Sequence, residues 1–259
     1  MKKILKIYFL LSLYAIESAV ATRWAMAIFI FGKLIRLALF FVFTYFLFVG
    51  TSGVLNYGRN EGLLFVVYFY FISALAQMFF REAYRFRPRV ISGEFDYDLI
   101  RPVHPILRCL LGGFDLHDLL TLPILLFVLM KVLLFFQFDF YHLFLLTILS
   151  VNAITTLFAF HVIVAAWVTI NPDVDHGLMI YRDLETMGRF PVDIYKEPLK
   201  TILTFLLPIG LAFTLPIKSF LGLVNFQTIL FSFLVGATSL FLSLRFWDFA
   251  VKKYSSASS

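Results

Sequence analysis

Residues 63–80 read LLFVVYFYFISALAQMFF, and the chain then changes character at once, to REAYRFRPRV over 81–90 and ISGEFDYDLIRP over 91–102. An uncharged, aromatic-rich run of that length is a helix able to cross the roughly 30 Å hydrocarbon core of a bilayer. The arginines that follow form the kind of basic flank that marks the cytoplasmic side of a span. Arg81, Arg85 and Arg89 recur at i, i+4, so the spacing predicts a helix that leaves the membrane with a basic face until Pro88 disturbs it.

Outward from this stretch, the same length criterion predicts six spans in all, at about 34–55, 63–80, 119–138, 143–170, 199–217 and 225–246. With 61% hydrophobic and only 15% charged residues, the 259-residue chain lies far above the roughly 45–50% apolar share of soluble domains. A soluble globule is excluded, and the expected fold class is an all-α membrane protein with one transmembrane domain over 1–259. The longest hydrophilic connections are 81–118 and 171–198. The net charge of +6 does not point to nucleic acid, because the basic residues sit between the apolar runs and form no separate stripe. Counted over Lys and Arg alone, one face collects the basic residues of 1–36, 81–108, 182–200 and 245–253, and the other keeps only Arg59 and Lys218. That asymmetry predicts both termini on the cytoplasmic side of the cell membrane. The single cysteine, Cys109, excludes an intramolecular disulfide and any multi-cysteine metal site.

The first 23 residues combine Lys2, Lys3 and Lys6 with an apolar stretch and a small-residue Ala19-Val20-Ala21. A secretory signal would keep its apolar region free of Lys6 and its cleavage site free of Glu17. The four charges share about a third of the helical wheel, which fits an interfacial helix on the inner leaflet.

Residues able to carry chemistry are few. Gly50-Thr51-Ser52-Gly53 matches a serine-protease-like GxSG pattern, with His161 in a later span, but it falls at the outer end of a span and reads as a turn. Asp115, His117 and Asp118, with His104 nearby, are ligand types without the spacing that closes a metal site, and they read as a solvated juxtamembrane loop. Lys131 lies within the third apolar run, several residues from its end, where an ammonium costs about 2.5–3.5 kcal/mol. It is a candidate for a substrate path or a subunit seam. Asn152 and His161 share the fourth span but point in opposite directions, so interhelical hydrogen bonding is the simplest reading for each. Pro208, Gly210 and Pro216 predict a bend, a break or a re-entrant turn in the fifth span. No GxxxxGK[ST] phosphate loop is present, so any ATP-driven step needs another chain.

Within 91–102, Ser92 is placed to cap a short helix whose first turn carries Glu94 and Asp96 and which Pro102 closes. Phe95, Leu99 and Pro102 form its apolar edge, with Asp98 and Arg101 outward. A piece of this kind lies on a membrane surface or docks into a partner's groove.

The segment Ile91-Ser92-Gly93-Glu94-Phe95-Asp96-Tyr97-Asp98-Leu99-Ile100-Arg101-Pro102 resembles the I-x-G-x-[LF]-D-x-x-L-x-R-P signature of the ABC-2 type transporter permeases of about this length. Phe190-Pro191-Val192-Asp193-Ile194-Tyr195 and the terminal Tyr254-Ser255-Ser256-Ala257-Ser258 agree with it, so the resemblance spans essentially the whole chain. It implies a non-catalytic membrane subunit of an ABC exporter, with an N-terminal elbow helix over 1–23, six spans, and a coupling helix within 81–118. It also implies a second permease subunit, homologous or identical, and two copies of an ATPase subunit that carries the ATP and magnesium; the chain itself would need no cofactor. Gly93, Glu94, Phe95, Asp96, Asp98, Leu99, Arg101 and Pro102 would then form the ATPase-coupling segment. Phe95 stands where leucine is common, and the acidic 171–198 connection has no role in that picture. Two alternatives remain: an ion-coupled secondary transporter using Lys131 and His161, and an intramembrane hydrolase using Ser52.

Overall fold

The computed structural model describes residues 2–21, 23–50, 57–110, 113, 115–172 and 177–255. Thr51–Gly53 and Ser256–Ser258, both singled out by the sequence, fall outside the described residues. That range is mostly helical. It runs through α1 (Lys2–Ala21), α2 (Arg23–Gly50) and α3 (Arg59–Phe80), and a 3-10 turn over Arg81–Arg85 leads to α4 (Phe86–Ile91), α5 (Glu94–Leu99) and α6 (Pro105–Leu110). There follow α7 (Leu116–Leu133), α8 (Phe140–Ile170), α9 (Gly177–Glu185), α10 (Leu199–Thr201), α11 (Leu215–Phe220) and α12 (Phe226–Lys253). Among the described residues five segments are long and apolar enough to cross a membrane: Trp24–Gly50, Arg59–Ile91, Leu116–Leu133, Phe140–Ile170 and Phe226–Lys253. Polar residues start the helices where N-capping predicts. Asp115 accepts from the His117 and Asp118 amides, Asp139 from that of His142 and Asn225 from that of Thr228. Bonds from the His142 amide and ring also hold the Asp139 carboxyl below its ordinary range.

α3 is the centre of the bundle. Leu64, Phe65, Tyr68, Phe69 and Ile72 are all but fully buried, in one core with Ala153 and Leu157 of α8 and with Phe213 and Ile217. Lipid supplies no hydrophobic force between helices, so close packing and polar bonds hold them. Tyr68 Oη and Ser150 Oγ lie 2.9 Å apart between α3 and α8. Asn152 Nδ2 donates to the Ser232 carbonyl of α12 at 3.0 Å, and a side chain at Gly236 would collide with that amide.

The described helices depart from the predicted spans in physically intelligible ways. α2 begins at Arg23 rather than 34, because Lys33, which interrupts the apolar run, is paired with Asp118 of α7. α7 ends at Leu133 rather than 138, and the phenylalanines beyond it turn onto the hairpin described next, Phe136 and Phe138 lying 6.0 and 5.3 Å from Phe220. Pro88 does not end a helix. It sits in the first turn of α4, where its missing N–H removes no bond, after a 3-10 turn has already changed the pitch.

The largest correction concerns the fifth crossing. Leu199–Leu206 and Gly210–Phe220 meet at a 78° bend, and Pro208 and Gly210 break the helix there as expected. Yet the two ends of this pair reach the same carboxylate: Lys200 Nζ lies 3.1 Å from Asp193 Oδ1, and Lys218 Nζ lies 3.0 Å from Asp193 Oδ2. A span would separate residues 200 and 218 by the bilayer thickness, so the pair is a re-entrant hairpin that enters and leaves at one end of the bundle. Tyr57, just before α3 begins, donates to the same Asp193 at 3.2 Å and identifies that end as the far one. The chain passes from one end of the bundle to the other through 177–195 instead. Tyr181 stacks on Phe160 towards the near end of α8, Glu185 accepts from Ser73 in the middle of α3 at 2.7 Å, and Phe190 meets Phe48 close to the far end of α2. Hydropathy misses this crossing because Arg182, Asp183, Glu185, Arg189 and Asp193 make it polar. Lys200 therefore shares an end of the bundle with Lys218 and Tyr57.

Cysteines introduced singly at 200 and 218, in a Cys109→Ser background, should both be labelled by a membrane-impermeant maleimide from the same side of sealed vesicles. Labelling from opposite sides would make the bent pair a span.

Candidate functional site

The segment between α3 and α7 turns three times. Ser92 does not cap α5; its hydroxyl donates to the Arg89 carbonyl. Gly93 does so instead, in the left-handed region at φ 75°, where a side chain would be strained. Glu94 and Asp96 occupy the first turn of α5, as expected of carboxylates near a helix N-terminus.

One face of α5 is closed. Phe95 is 0% exposed, with the rings of Phe86, Tyr254 and Trp247 at 5.1, 5.1 and 6.1 Å. The terminal motif and the α4–α5 signature therefore meet at one point, since Tyr254 belongs to the first and Phe95 to the second. Asp98, expected to point outward, is 2% exposed. It pairs with Arg89, and Arg101 Nη1 and Arg108 Nε stand 3.4 and 3.7 Å from its Oδ1. Arg89 also lies 3.8 Å from Glu94. The physical reason is register: 95 and 98 are three apart on a helix and share a face, and three guanidinium groups make burial of the charge affordable. The nearby Cys109 is fully buried, and desolvation pushes its thiol up, away from reactivity.

The other face is open. Tyr97 and Ile100 are 64% and 79% exposed, and Glu94, Arg101 and Pro102 are exposed beside them, with Leu99 half-buried. Tyr97 and Ile100 carry no charge and no motif that marks them in the sequence. The i, i+3 spacing of 94, 97 and 100 was the available signal.

The arginines of 81–89 do not form one solvated face. Arg81 Nη1 lies 2.6 Å from Asp115, Arg85 pairs with Glu82 and Arg89 with Asp98. Asp115 and Asp118, expected in a solvated loop, are mostly buried at the start of α7, held by Arg81 and Lys33. Among the described residues no three His, Cys, Asp or Glu side chains gather as a metal-ligand set.

Lys131, Asn152 and His161 occupy three unrelated settings. Lys131 is exposed in the last turn of α7, near its end rather than deep in a span, with its ammonium 5.5 Å from the Phe127 ring. A helix C-terminus favours a cation there. Asn152 is spent on α12. His161, 2% exposed, bonds the Leu157 carbonyl at 2.8 Å among Phe80, Tyr84 and Tyr181, at the end of the bundle opposite Lys131. An ion-coupling site made from Lys131 and His161 has no geometric basis.

A family model described as ABC-2 family transporter protein matches residues 7–258. No curated protein and no solved structure matches the chain.

Asp98→Ala should destabilise the detergent-solubilised protein by about 3–5 kcal/mol, because it leaves the Arg89 guanidinium buried without its carboxylate. Asp98→Asn should cost less. Thermal unfolding checks both, and an unshifted midpoint in the alanine variant would remove the cluster's structural role.

Proposed function

The chain belongs to the ABC-2 family of transporter proteins, and we propose that it is the permease subunit of an ATP-driven exporter, with α5 as the element that docks a separate ATPase. It is a multi-pass membrane protein and a transport component. The observation that carries the finer reading is the two-sided construction of α5. Its inner face is fixed by Phe95 and by the Arg89–Asp98 pair, and its outer face presents Tyr97 and Ile100 to solvent with Glu94 and Arg101 beside them. Exposed apolar side chains ringed by charge are the composition of a binding hot spot rather than of an idle loop.

In this reading the whole of 1–259 is one permease domain with both termini on the cytoplasmic face of the cell membrane. α1 is the interfacial elbow, and two ATPase copies and a second permease complete the complex. ATP and magnesium sit on the ATPase, because this chain has no phosphate loop. Its own residues do no bond chemistry. They form a lever: force applied to Tyr97 and Ile100 passes through Phe95 and Asp98 into α4, and α4 continues α3 with only the 3-10 turn of Arg81–Arg85 between them. α3 is the most buried span, so its displacement is felt by α7, α8 and the hairpin together. Closure of the ATPases on nucleotide would thereby bias the permease between inward- and outward-facing states.

Ile100→Asp and Tyr97→Ala should each lower recovery of the ATPase with the tagged chain at least tenfold, with membrane levels of the chain unchanged. Full recovery in both variants would remove α5 as the docking element. Charge reversal at Glu94 or Arg101 should weaken recovery less and in a salt-dependent way.

A further inference from the structure

Among the described residues many boundary charges of this bundle are ion-paired, and one cavity gathers cations of which two are not. Between α2, α3, α7 and the crossing segment lies a cavity of about 310 Å³, within the range of small-molecule sites. Leu37, Phe69 and Tyr70 give it an apolar wall. Lys33, Arg36, Arg182 and Arg189 give it four cations, against the three carboxylates of Asp118, Asp183 and Glu185.

The pairing among them is uneven. Lys33 is joined to Asp118, Arg182 Nε lies 3.8 Å from Asp183 Oδ1, and Glu185 takes its hydrogen bond from Ser73. Among the described residues neither Arg36 nor Arg189 has a carboxylate within 4.0 Å. The Arg189 guanidinium lies over three rings instead, 5.0 Å from Phe40, 5.7 Å from Tyr70 and 5.8 Å from Phe69, and its Nε is buried without a hydrogen-bond partner. Ring faces return only part of what removing a guanidinium from water costs, and a cation so placed in a membrane protein lines a cavity that holds its counter-charge. Arg36 is exposed on α2, which leaves the cavity open on that side.

We infer that this cavity is a binding site for an oxyanion of the phosphate type carried by an amphiphile. Arg189 and Arg36 face the oxygens with the planar donor sets that suit them, and the apolar wall of Leu37 and Phe69 takes the start of the tail. The inference deepens the transporter reading and rests on it only for treating the bound molecule as cargo. Binding to the chain itself needs no ATPase.

The test uses the full chain, purified in a zwitterionic detergent, titrated with dodecyl phosphate, inorganic phosphate and dodecyltrimethylammonium. Dodecyl phosphate should bind and raise the unfolding temperature, and the trimethylammonium analogue should do neither. Arg189→Gln and Arg36→Gln should each weaken dodecyl phosphate at least tenfold, Arg189→Lys should retain part of the affinity, and Lys252→Gln, at the exposed end of α12, should change nothing. If Arg189→Gln fails to fold, Arg36→Gln and Arg189→Lys carry the test. Failure of inorganic phosphate to compete supports an amphiphile headgroup as the source. Full competition at millimolar inorganic phosphate would retain the oxyanion site and overturn the amphiphile. Equal binding of the cationic analogue, or full affinity in Arg36→Gln together with a folded Arg189→Gln, would overturn the site. ATPase recovery in the same preparations is read separately: its loss in the α5 variants with anion binding intact, or its persistence where anion binding fails, tells the two ideas apart.

Discussion

Asp193 is the interaction on which the architecture turns. One half-buried carboxylate holds Lys200 and Lys218 from the two ends of the hairpin and Tyr57 from the approach to α3. Both lysines donate to the carboxylate in place of the water it loses. With those three groups gathered at the far end, Ile209, Phe213 and Ile217 of the hairpin reach inward and fill the space between α3 and α8. The hairpin in turn gives the polar crossing a wall: Gly188 packs so closely on Ile209 and Phe213 that a side chain there would come within 2.8 Å of either. A segment with five charged residues can then run through the bundle because Glu185 and Asp193 find polar partners there and Arg189 finds ring faces.

The opposite end repeats the same economy with other residues. Asp98 gathers three arginines, and Asp115 and Asp118 take Arg81 and Lys33. Both ends are thus knotted by acids surrounded by bases, and α3 is the rod between the two knots. Its extension into α4 carries no loop, so the aromatic cluster of Phe86, Phe95 and Trp247 is joined to the central core by one helical run.

The fold class and the five long helices were legible because apolar length is a direct property of sequence, and the break at Pro208 because proline lacks a donor. The re-entrant hairpin was not, since a helix pair that dips in and returns has the same composition as one that crosses. The crossing through 177–195 was hidden for the converse reason. Its charges lower the local hydropathy, and only tertiary pairing cancels them. At α5 the existence of the helix and its Phe95 anchor could be read, yet Asp98 was assigned outward by its charge although its spacing from Phe95 put it inward. Tyr97 and Ile100 carried no charge and drew no notice.

α2 has a different standing from every other span. The most apolar stretch of it has no buried residue, and it meets the rest of the chain through few points, among them the Lys33–Asp118 pair and Phe48, seated against Gly62 where a side chain would collide with it. Since lipid is as good a neighbour for its leucines and phenylalanines as protein is, those points and the rings of Phe40 and Phe41 against Tyr70 distinguish the docked helix from a free one. The seating of α2 is therefore conditional on its neighbours: it is held only once α3 presents Gly62 and α7 presents Asp118.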